Sequence, residues 1–278
     1  MSASNITIRI GAAIAALLLS QLVNGRGLPS DPEHYFGDFG FCALILSRDR
    51  HEEVLIEAGP EQCRQPLSPC STFKLPNTLI GLQTGVVSGP EDLKKWDGKE
   101  RPRSVANRDH SLQSAISESI PWYFQELARD VGTERMNEWL LKLDYGNRDI
   151  SAGIDRFWLG SSLRIDAYGQ LELIKSLWHG TLPFDPAYQQ MLRQMLYLET
   201  ELEGSLHGKT GSCRGNEDQG TPDHGWFIGW IDWHKSADIS TDTTFFVINT
   251  TGPKAWGWET KKITLQILND LQQGSAKH

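Results

Sequence analysis

The chain has 278 residues, 39% of them hydrophobic and 22% charged, which is ordinary globular composition and enough chain for one large domain. Its net charge of −8 and isoelectric point near 5.5 argue against nucleic acid or an anionic membrane as a partner. These bulk properties do not identify a substrate.

The first residues have the pattern of an export signal. Arg9 is the one charged residue among residues 1–25, and residues 10–23 form an apolar run that is short for a membrane span. We therefore predict a signal peptide over residues 1–25, cleaved near Gly25, and a single domain over residues 26–278. The alternative is an uncleaved anchor, which the short run disfavours. We expect a periplasmic protein with no stable membrane span after cleavage.

Export to an oxidising compartment allows the four cysteines to pair. Four cysteines permit three connectivities. Cys42 and Cys63 flank a predicted hairpin and are the favoured pair. Cys70 and Cys213 each adjoin a motif described below, and the alternative for them is two small buried apolar residues.

The predicted elements start with two short apolar runs, 41–46 and 54–58, which a charged segment separates into a β-hairpin. A helix follows over 71–83, with irregular first turns because it contains Pro76. After a polar excursion over 86–110, helical periodicity recurs over 122–132, 133–144, 166–180 and 186–199, with Thr133 as a helix cap. Strands are predicted over 205–212, 225–233 and 244–250, and an amphipathic helix over 258–271.

This order predicts an α/β fold of the α+β type. A mainly antiparallel sheet takes strands from both ends of the chain and is flanked by helices, and an all-helical region is inserted between its strands.

Ser71 and Lys74 stand three residues apart at the start of a predicted helix, which places both side chains on one face. A serine hydroxyl needs a base to become a nucleophile, and a protonated lysine cannot be that base. Burial beside Phe73 and Leu75 would favour the neutral amine. Taken alone, the pair is a weak signal, since a capping serine and a surface lysine explain it in most proteins that carry it.

Further motifs follow in chain order. A serine motif, with Ser117 or Ser119 as its serine, precedes the helix 122–132. Tyr145-Gly146-Asn147 has the composition of a turn, and Trp158 lies in an apolar triplet that core packing alone would explain. Lys209-Thr210-Gly211 lies on a predicted strand, where an acyl substrate with a carboxylate could bind along the backbone edge.

The conjunction of these motifs resembles the class D serine β-lactamases, the oxacillinases, over about residues 41–271. Classes A and C fit less well, since the chain has no Ser-Asp-Asn motif at a suitable place. The resemblance implies hydrolysis of small-molecule β-lactams through a serine acyl-enzyme. It implies no metal and no organic cofactor, but carbon dioxide or bicarbonate is needed to carboxylate Lys74, and the carbamate is the general base. The sequence gives no prediction of oligomeric state.

The same resemblance implies a role for each motif residue. Ser71 is the nucleophile, Ser119 relays a proton to the lactam nitrogen, and Lys209 supplies a positive field. Phe73 and Trp158 line the carbamate pocket, with the Trp158 indole donating to the carbamate. The remaining residues contact the substrate or shape its site, and the backbone N–H groups of Ser71 and Ser212 form the oxyanion hole. These remaining residues are Thr210, Gly211, Ser212, Tyr145 and Asn147.

Two departures from the family pattern affect these expectations. Pro121 stands where the family has a valine that lines the lysine pocket, so carboxylation is expected to be weaker. The last helix has no arginine for the substrate carboxylate, and Lys261 or Lys262 is the candidate replacement, without a bidentate fork. The alternative functions are a β-lactam sensor or a transpeptidase-like protein, which acylate on Ser71 but deacylate slowly.

Overall fold

A computed structural model gives the structure of the protein and describes residues 33–48, 53–215, 221–234 and 242–275. The predicted signal peptide, including the apolar run 10–23, lies outside the described residues. Within the described ranges, the helices are too short or too polar to cross a membrane.

A six-stranded antiparallel sheet in the order β2-β1-β8-β7-β6-β5 forms the centre of the described chain. The predicted hairpin and the three late strands are confirmed, and the sheet combines strands from both ends of the sequence. A two-stranded ribbon of β3 and β4 forms in and just after the polar segment 86–110. The strands are β1 Gly40–Arg48, β2 Glu53–Ala58, β3 Leu93–Lys94, β4 His110–Ser111, β5 Tyr197–Leu198, β6 Gly204–Cys213, β7 His224–Trp233 and β8 Asp242–Thr251.

Helices fill the middle of the chain and close its end, as the periodicity predicts. They are α1 Glu33–Phe36, α2 Pro60–Cys63, α3 Lys74–Gln83, α4 Leu112–Ser117, α5 Pro121–Val131, α6 Thr133–Lys142, α7 Ala167–His179, α8 Pro186–Met195 and α9 Gly257–Ser275. The predicted cap at Thr133 is wrong: Gly132, at φ 81°, takes the capping position, and Thr133 is the first helical residue.

The irregular start predicted for the helix at 71–83 is confirmed. Residues Cys70–Phe73 form a 3₁₀ turn, and α3 begins only at Lys74. Pro76 therefore lies in the first turn of α3, where a backbone N–H has no intrahelical acceptor, so the proline ring costs no hydrogen bond.

The core lies on both faces of the sheet because strand side chains alternate between them. On β7, Trp226 and Ile228 face the helical region, whereas Phe227 faces α9 with Leu268. On β1, Leu44 and Ile45 divide in the same way. The helical region therefore packs against one face and α9 against the other, and the first of these contacts positions the candidate site.

Candidate active site

Ser71 and Lys74 lie at the junction of the 3₁₀ turn and α3. The Lys74 amine is 2.6 Å from Ser71 Oγ, and it lies 5.4 Å from the centre of the Phe124 ring. Lys74 is 1% exposed, which is rare for a lysine without a carboxylate partner. The pair therefore has the geometry of a nucleophile and its base.

The environment of Lys74 disfavours its charged form. Burial is the main cause that lowers its pKa well below the ordinary value, and the positive charges of Lys209 and Arg103 lower it further. The lowered pKa favours the neutral amine, which is the form that a base requires.

Aromatic rings pack on Phe73, the last residue of the 3₁₀ turn. The Phe73 ring stacks on Trp158 at 5.2 Å and meets the edge of Phe157 at 4.9 Å. The Trp158 carbonyl accepts hydrogen bonds from Cys70 N at 3.0 Å and from Ser68 Oγ at 2.8 Å. These bonds attach the Trp158 segment to the residues that immediately precede Ser71.

The edge of β6 next to Ser71 is open. β5 pairs with Leu206 and His207, and the Gly208 N–H donates to Leu196 O. In the described ranges no strand covers the edge beyond Gly208. Because successive residues of an antiparallel strand point their N–H groups to opposite sides, the N–H groups of Thr210 and Ser212 share this open edge.

Gly211 allows β6 to approach the 3₁₀ turn closely. A Cβ atom at this position would lie 2.8 Å from Pro69 O and 3.4 Å from Ser71 N. The neighbouring Ser212 Oγ accepts a hydrogen bond from Gly257 N at 2.8 Å, which connects the start of α9 to the same edge. The Ser71 backbone nitrogen thus lies next to the segment of β6 that precedes Ser212.

Lys209 supplies a second buried amine. It is 6% exposed, and its Nζ donates to Thr210 O at 3.2 Å on the open edge. Burial, followed by the charges of Arg103 and Lys261, lowers the pKa of Lys209 to about 7. The positive field at this edge therefore depends on pH near neutrality.

The structure distinguishes the two candidate serines of the motif before α5. Ser117 is exposed, and its hydroxyl donates back to Gln113 O within α4. Ser119 has φ 54°, a conformation uncommon for a residue other than glycine. Arg103, which influences both buried lysines, donates to the carbonyls of Glu118 and Ser119. Arg103 thus connects the Ser119 segment with the electrostatics of the two buried lysines, whereas the Ser117 hydroxyl bonds within its own helix.

Comparison with known proteins identifies the family. Residues 41–270 match the family described as the penicillin binding protein transpeptidase domain. "Probable beta-lactamase YbxI" of Bacillus subtilis (strain 168) is 42% identical over 224 residues, which cover 81% of this chain and 79% of the relative. The chain belongs to the class D β-lactamases.

Solved structures of class D β-lactamases have the same fold. "Class D beta-lactamase BAT-2" is 35% identical with a TM-score of 0.77, and the match covers 87% of this chain and 95% of that one. A class D β-lactamase from Bacillus subtilis is 38% identical with a TM-score of 0.77, over 88% and 96% of the two chains.

The structure corrects the expectation for Pro121. This residue is exposed and is the first residue of α5, a position where proline loses no hydrogen bond and has a suitable φ. The buried member of the Ser119-Ile120-Pro121 triplet is Ile120, which is 0% exposed. The predicted distortion of the lysine pocket by proline therefore has no structural basis.

The prediction that Tyr145 and Asn147 contact the substrate or shape its site stays a prediction, and the structure gives the contacts of both residues within the protein. Tyr145 is 2% exposed and meets Phe73 edge-on at 5.7 Å. The Asn147 side chain donates to Ser162 O and accepts from Arg164 N, both at 2.9 Å. Gly146 has φ 53°, and a Cβ there would lie 2.0 Å from Arg164 O. The motif holds residues 162–164 behind the site.

Of the two lysines proposed to replace the family arginine, Lys261 faces the sheet. Its Nζ lies 5.8 Å from the centre of the Phe227 ring, and burial lowers its pKa. Lys262 is exposed. Lys261 also acts electrostatically on Lys209, so it is the better candidate of the two.

Sequence reasoning missed Arg103 and the second disulfide. Arg103 lies in a segment without periodicity and is held by backbone carbonyls, which leave no sequence signal. The structure joins Cys42 to Cys63, the favoured pair, and also joins Cys70 to Cys213. The signal for the second pair was the position of each cysteine beside a catalytic motif.

Proposed function

We propose that this class D β-lactamase hydrolyses β-lactam antibiotics through an acyl-enzyme on Ser71. The single observation that carries the proposal is the fully buried Lys74 amine, 2.6 Å from Ser71 Oγ. A serine hydroxyl is activated as a nucleophile by an adjacent base, and burial of Lys74 favours the neutral form that can act as one.

Acylation then proceeds with a role for each side of the site. Ser71 Oγ bonds to the lactam carbonyl carbon and gives its proton to the base on Lys74. The carbonyl oxygen becomes an oxyanion, which the N–H groups of Ser71 and Ser212 would stabilise. As the C–N bond breaks, Ser119 passes a proton to the lactam nitrogen, and Lys209 keeps the local field positive. Water then hydrolyses the ester and frees Ser71.

We propose further that Lys74 is carboxylated. A neutral amine adds to carbon dioxide and releases one proton, and the carbamate so formed supplies the general base for both half-reactions. Support comes from the burial of Lys74 and its lowered pKa, because a protonated amine cannot make this bond. The indole N–H of Trp158 is proposed as a donor to the carbamate.

The substrate carboxylate is proposed to bind at the open end of β6. Thr210 and Ser212 would contact it, with Lys209 and Lys261 as the nearby positive charges. Successive N–H groups along β6 point to opposite sides, so those of Thr210 and Ser212 face away from β7. The charge of Lys261 lowers the pKa of Lys209, which shows that the two amines act on each other. Both observations support this binding site.

The second candidate function is a protein that is acylated on Ser71 but deacylates slowly. It is favoured by the match to the penicillin binding protein transpeptidase domain. The two candidates share acylation and differ in the activation of water.

Mass spectrometry and turnover of a penicillin by the purified chain test the proposed roles. We expect sustained hydrolysis, no acyl adduct in Ser71→Ala, and a loss of kcat of about 100-fold in Ser119→Ala. Ser117→Ala is the matched control and should retain wild-type turnover. An acyl adduct that still forms in Ser71→Ala contradicts Ser71 as the nucleophile. Equal losses of kcat in Ser119→Ala and Ser117→Ala contradict Ser119 as the proton relay.

Export to the periplasm, with cleavage near Gly25, also remains our proposal. The two disulfides support it, since they persist in oxidising compartments. Sequencing the N-terminus of protein recovered from the periplasm tests it, and recovery of an uncleaved chain in the membrane fraction would contradict it.

A further inference from the structure

One of the two disulfides spans the catalytic site. Cys70 immediately precedes Ser71, and Cys213 immediately follows Ser212, so the bond connects the residues next to both proposed oxyanion donors. The other disulfide connects β1 with the end of α2. We propose that the Cys70–Cys213 disulfide positions the Ser71 turn against the open edge of β6, so that β-lactam acylation depends on the oxidised state of this pair. The proposal rests on the proposed function.

The backbone at Cys70 gives an independent reason for the constraint. Cys70 has φ 53°, a left-handed conformation that residues other than glycine rarely adopt. Such a conformation persists only where the surroundings enforce it. Here the Cys70 N–H donates to Trp158 O at 3.0 Å, and the side chain is bonded to Cys213. The bend at Cys70 directs the chain into Ser71.

Noncovalent contacts hold the residues up to this bend, including the Cys70 N–H on Trp158 O. The Ser68 carbonyl accepts hydrogen bonds from His224 Nε2 at 3.0 Å and from Trp226 Nε1 at 2.9 Å. These bonds connect Ser68 to β7. The approach between Ser71 and β6 occurs after Cys70, where the disulfide is the covalent link and Gly211 leaves no space for a side chain.

The buried environment also determines how the bond is reduced. Cys70 is 0% exposed and Cys213 is 5% exposed, so a soluble dithiol reaches the Cys213 sulfur first. Its thiolate bonds to Cys213 Sγ, Cys70 leaves as a thiolate and takes a proton, and the second thiol of the reagent closes its own disulfide and releases Cys213. Two thiols then occupy the site, beside the His224 ring at 3.4 Å from Cys70 Sγ.

A comparison of the two disulfides tests the proposal. The rate at which a fluorescent penicillin acylates Ser71 is measured for wild type, Cys70→Ala/Cys213→Ala and Cys42→Ala/Cys63→Ala, below the melting temperature of each. We expect the first variant to lose about 10-fold or more in acylation rate, and the second to remain within about 2-fold of wild type. Both are expected to melt earlier than wild type.

A glycine variant separates positioning from general destabilisation. Glycine adopts a positive φ without strain, so Cys70→Gly/Cys213→Ala should recover part of the acylation rate that the alanine variant loses. A dithiol should slow wild type and Cys42→Ala/Cys63→Ala alike, and leave Cys70→Ala/Cys213→Ala unchanged.

The inference fails if Cys70→Ala/Cys213→Ala acylates at the wild-type rate, or if both disulfide variants lose the same factor. If wild type itself shows no acylation of Ser71, the proposed function fails, and the inference fails with it. The two failures are therefore distinguished by the wild-type measurement.

Discussion

The amine of Lys74 lies 2.6 Å from Ser71 Oγ and is almost completely buried. Water is excluded from this amine, so its protonated form is disfavoured and the neutral form can accept a proton or carbon dioxide. The same burial makes a lysine a poor choice for stability at this position. The buried amine of Lys74 therefore serves the reaction and lowers the stability of the folded protein.

Replacement of Lys74 by methionine separates the two effects. We expect Lys74→Met to lose about 100-fold or more in turnover, because the base is gone, and to melt at or above the wild-type temperature, because no buried amine remains to be charged. The gain is expected to be largest at acidic pH, where the lowered pKa of Lys74 makes protonation most costly to the folded state.

Turnover and thermal melting are measured on the same preparations. Lys262→Met is the matched control, since Lys262 is exposed, and it should change neither quantity. Near-normal turnover in Lys74→Met would remove Lys74 as the base.

Lys209 gives the site a predictable pH dependence. Its pKa of about 7 means that its charge is present below pH 7 and is lost as pH rises. For a substrate with a carboxylate, kcat/KM should therefore fall on the alkaline side of neutrality. Arg103 lowers this pKa, so Arg103→Ala should move the alkaline limb to higher pH.

The pH profile of kcat/KM with a penicillin checks the direction of this shift. Arg108→Ala, in the same excursion and exposed, is the control and should leave the limb in place. A limb that moves to lower pH in Arg103→Ala would show that the arginine does not act on Lys209 by charge.

At the scale of elements, the site depends on the distance between β6 and the 3₁₀ turn Cys70–Phe73. The turn carries Ser71, the strand carries Lys209 and Ser212, and Gly211 is a point of close approach. A side chain at Gly211 must push the two elements apart, since the nearest atom to its Cβ would be the backbone oxygen of Pro69, which cannot rotate away.

Gly211→Ala should therefore reduce activity by changing this distance. We expect kcat to fall by about 10- to 100-fold, the range associated with misplacement of about 1 Å. Gly89→Ala is the control, because a Cβ at Gly89 has no neighbour within 4 Å. The test is the kcat of both variants in steady-state kinetics. A wild-type kcat in Gly211→Ala would contradict the close approach between β6 and the 3₁₀ turn.

At the scale of the whole molecule, the chain ends supply the sheet, and the region inserted between its early and late strands supplies Ser71, Lys74, Ser119 and Trp158. The site forms where these two regions meet. The Cys42–Cys63 bond joins β1 to the end of α2, and neither cysteine is adjacent in the chain to a residue of the site. Its contribution should therefore be to stability.

Removal of this bond gives a quantitative expectation. Closing a chain segment of 21 residues should stabilise the fold by about 3 kcal/mol. Urea unfolding of Cys42→Ala/Cys63→Ala should show a loss near this size with an unchanged acylation rate. A loss of acylation equal to that of Cys70→Ala/Cys213→Ala would contradict the division of roles between the two bonds.

The elements and the catalytic motifs could be predicted because they rest on local patterns. Strand alternation, helical periodicity and short motifs such as Ser71-x-x-Lys74 are contained in a few consecutive residues. The contacts of Arg103 and the pairing of Cys70 with Cys213, 143 residues apart, depend on tertiary approach and have no local pattern. Pro121 was misjudged because its exposure depends on where α5 begins.

Penicillin turnover by the purified chain, with and without added bicarbonate and with intact mass followed in parallel, tests the carboxylated Lys74 most directly. We expect sustained turnover that bicarbonate raises, and a greater dependence on bicarbonate in Trp158→Ala, which lacks the proposed donor to the carbamate. A single stoichiometric burst that leaves a persistent adduct on Ser71, with no response to bicarbonate, would contradict this expectation and identify a penicillin-binding protein that deacylates slowly.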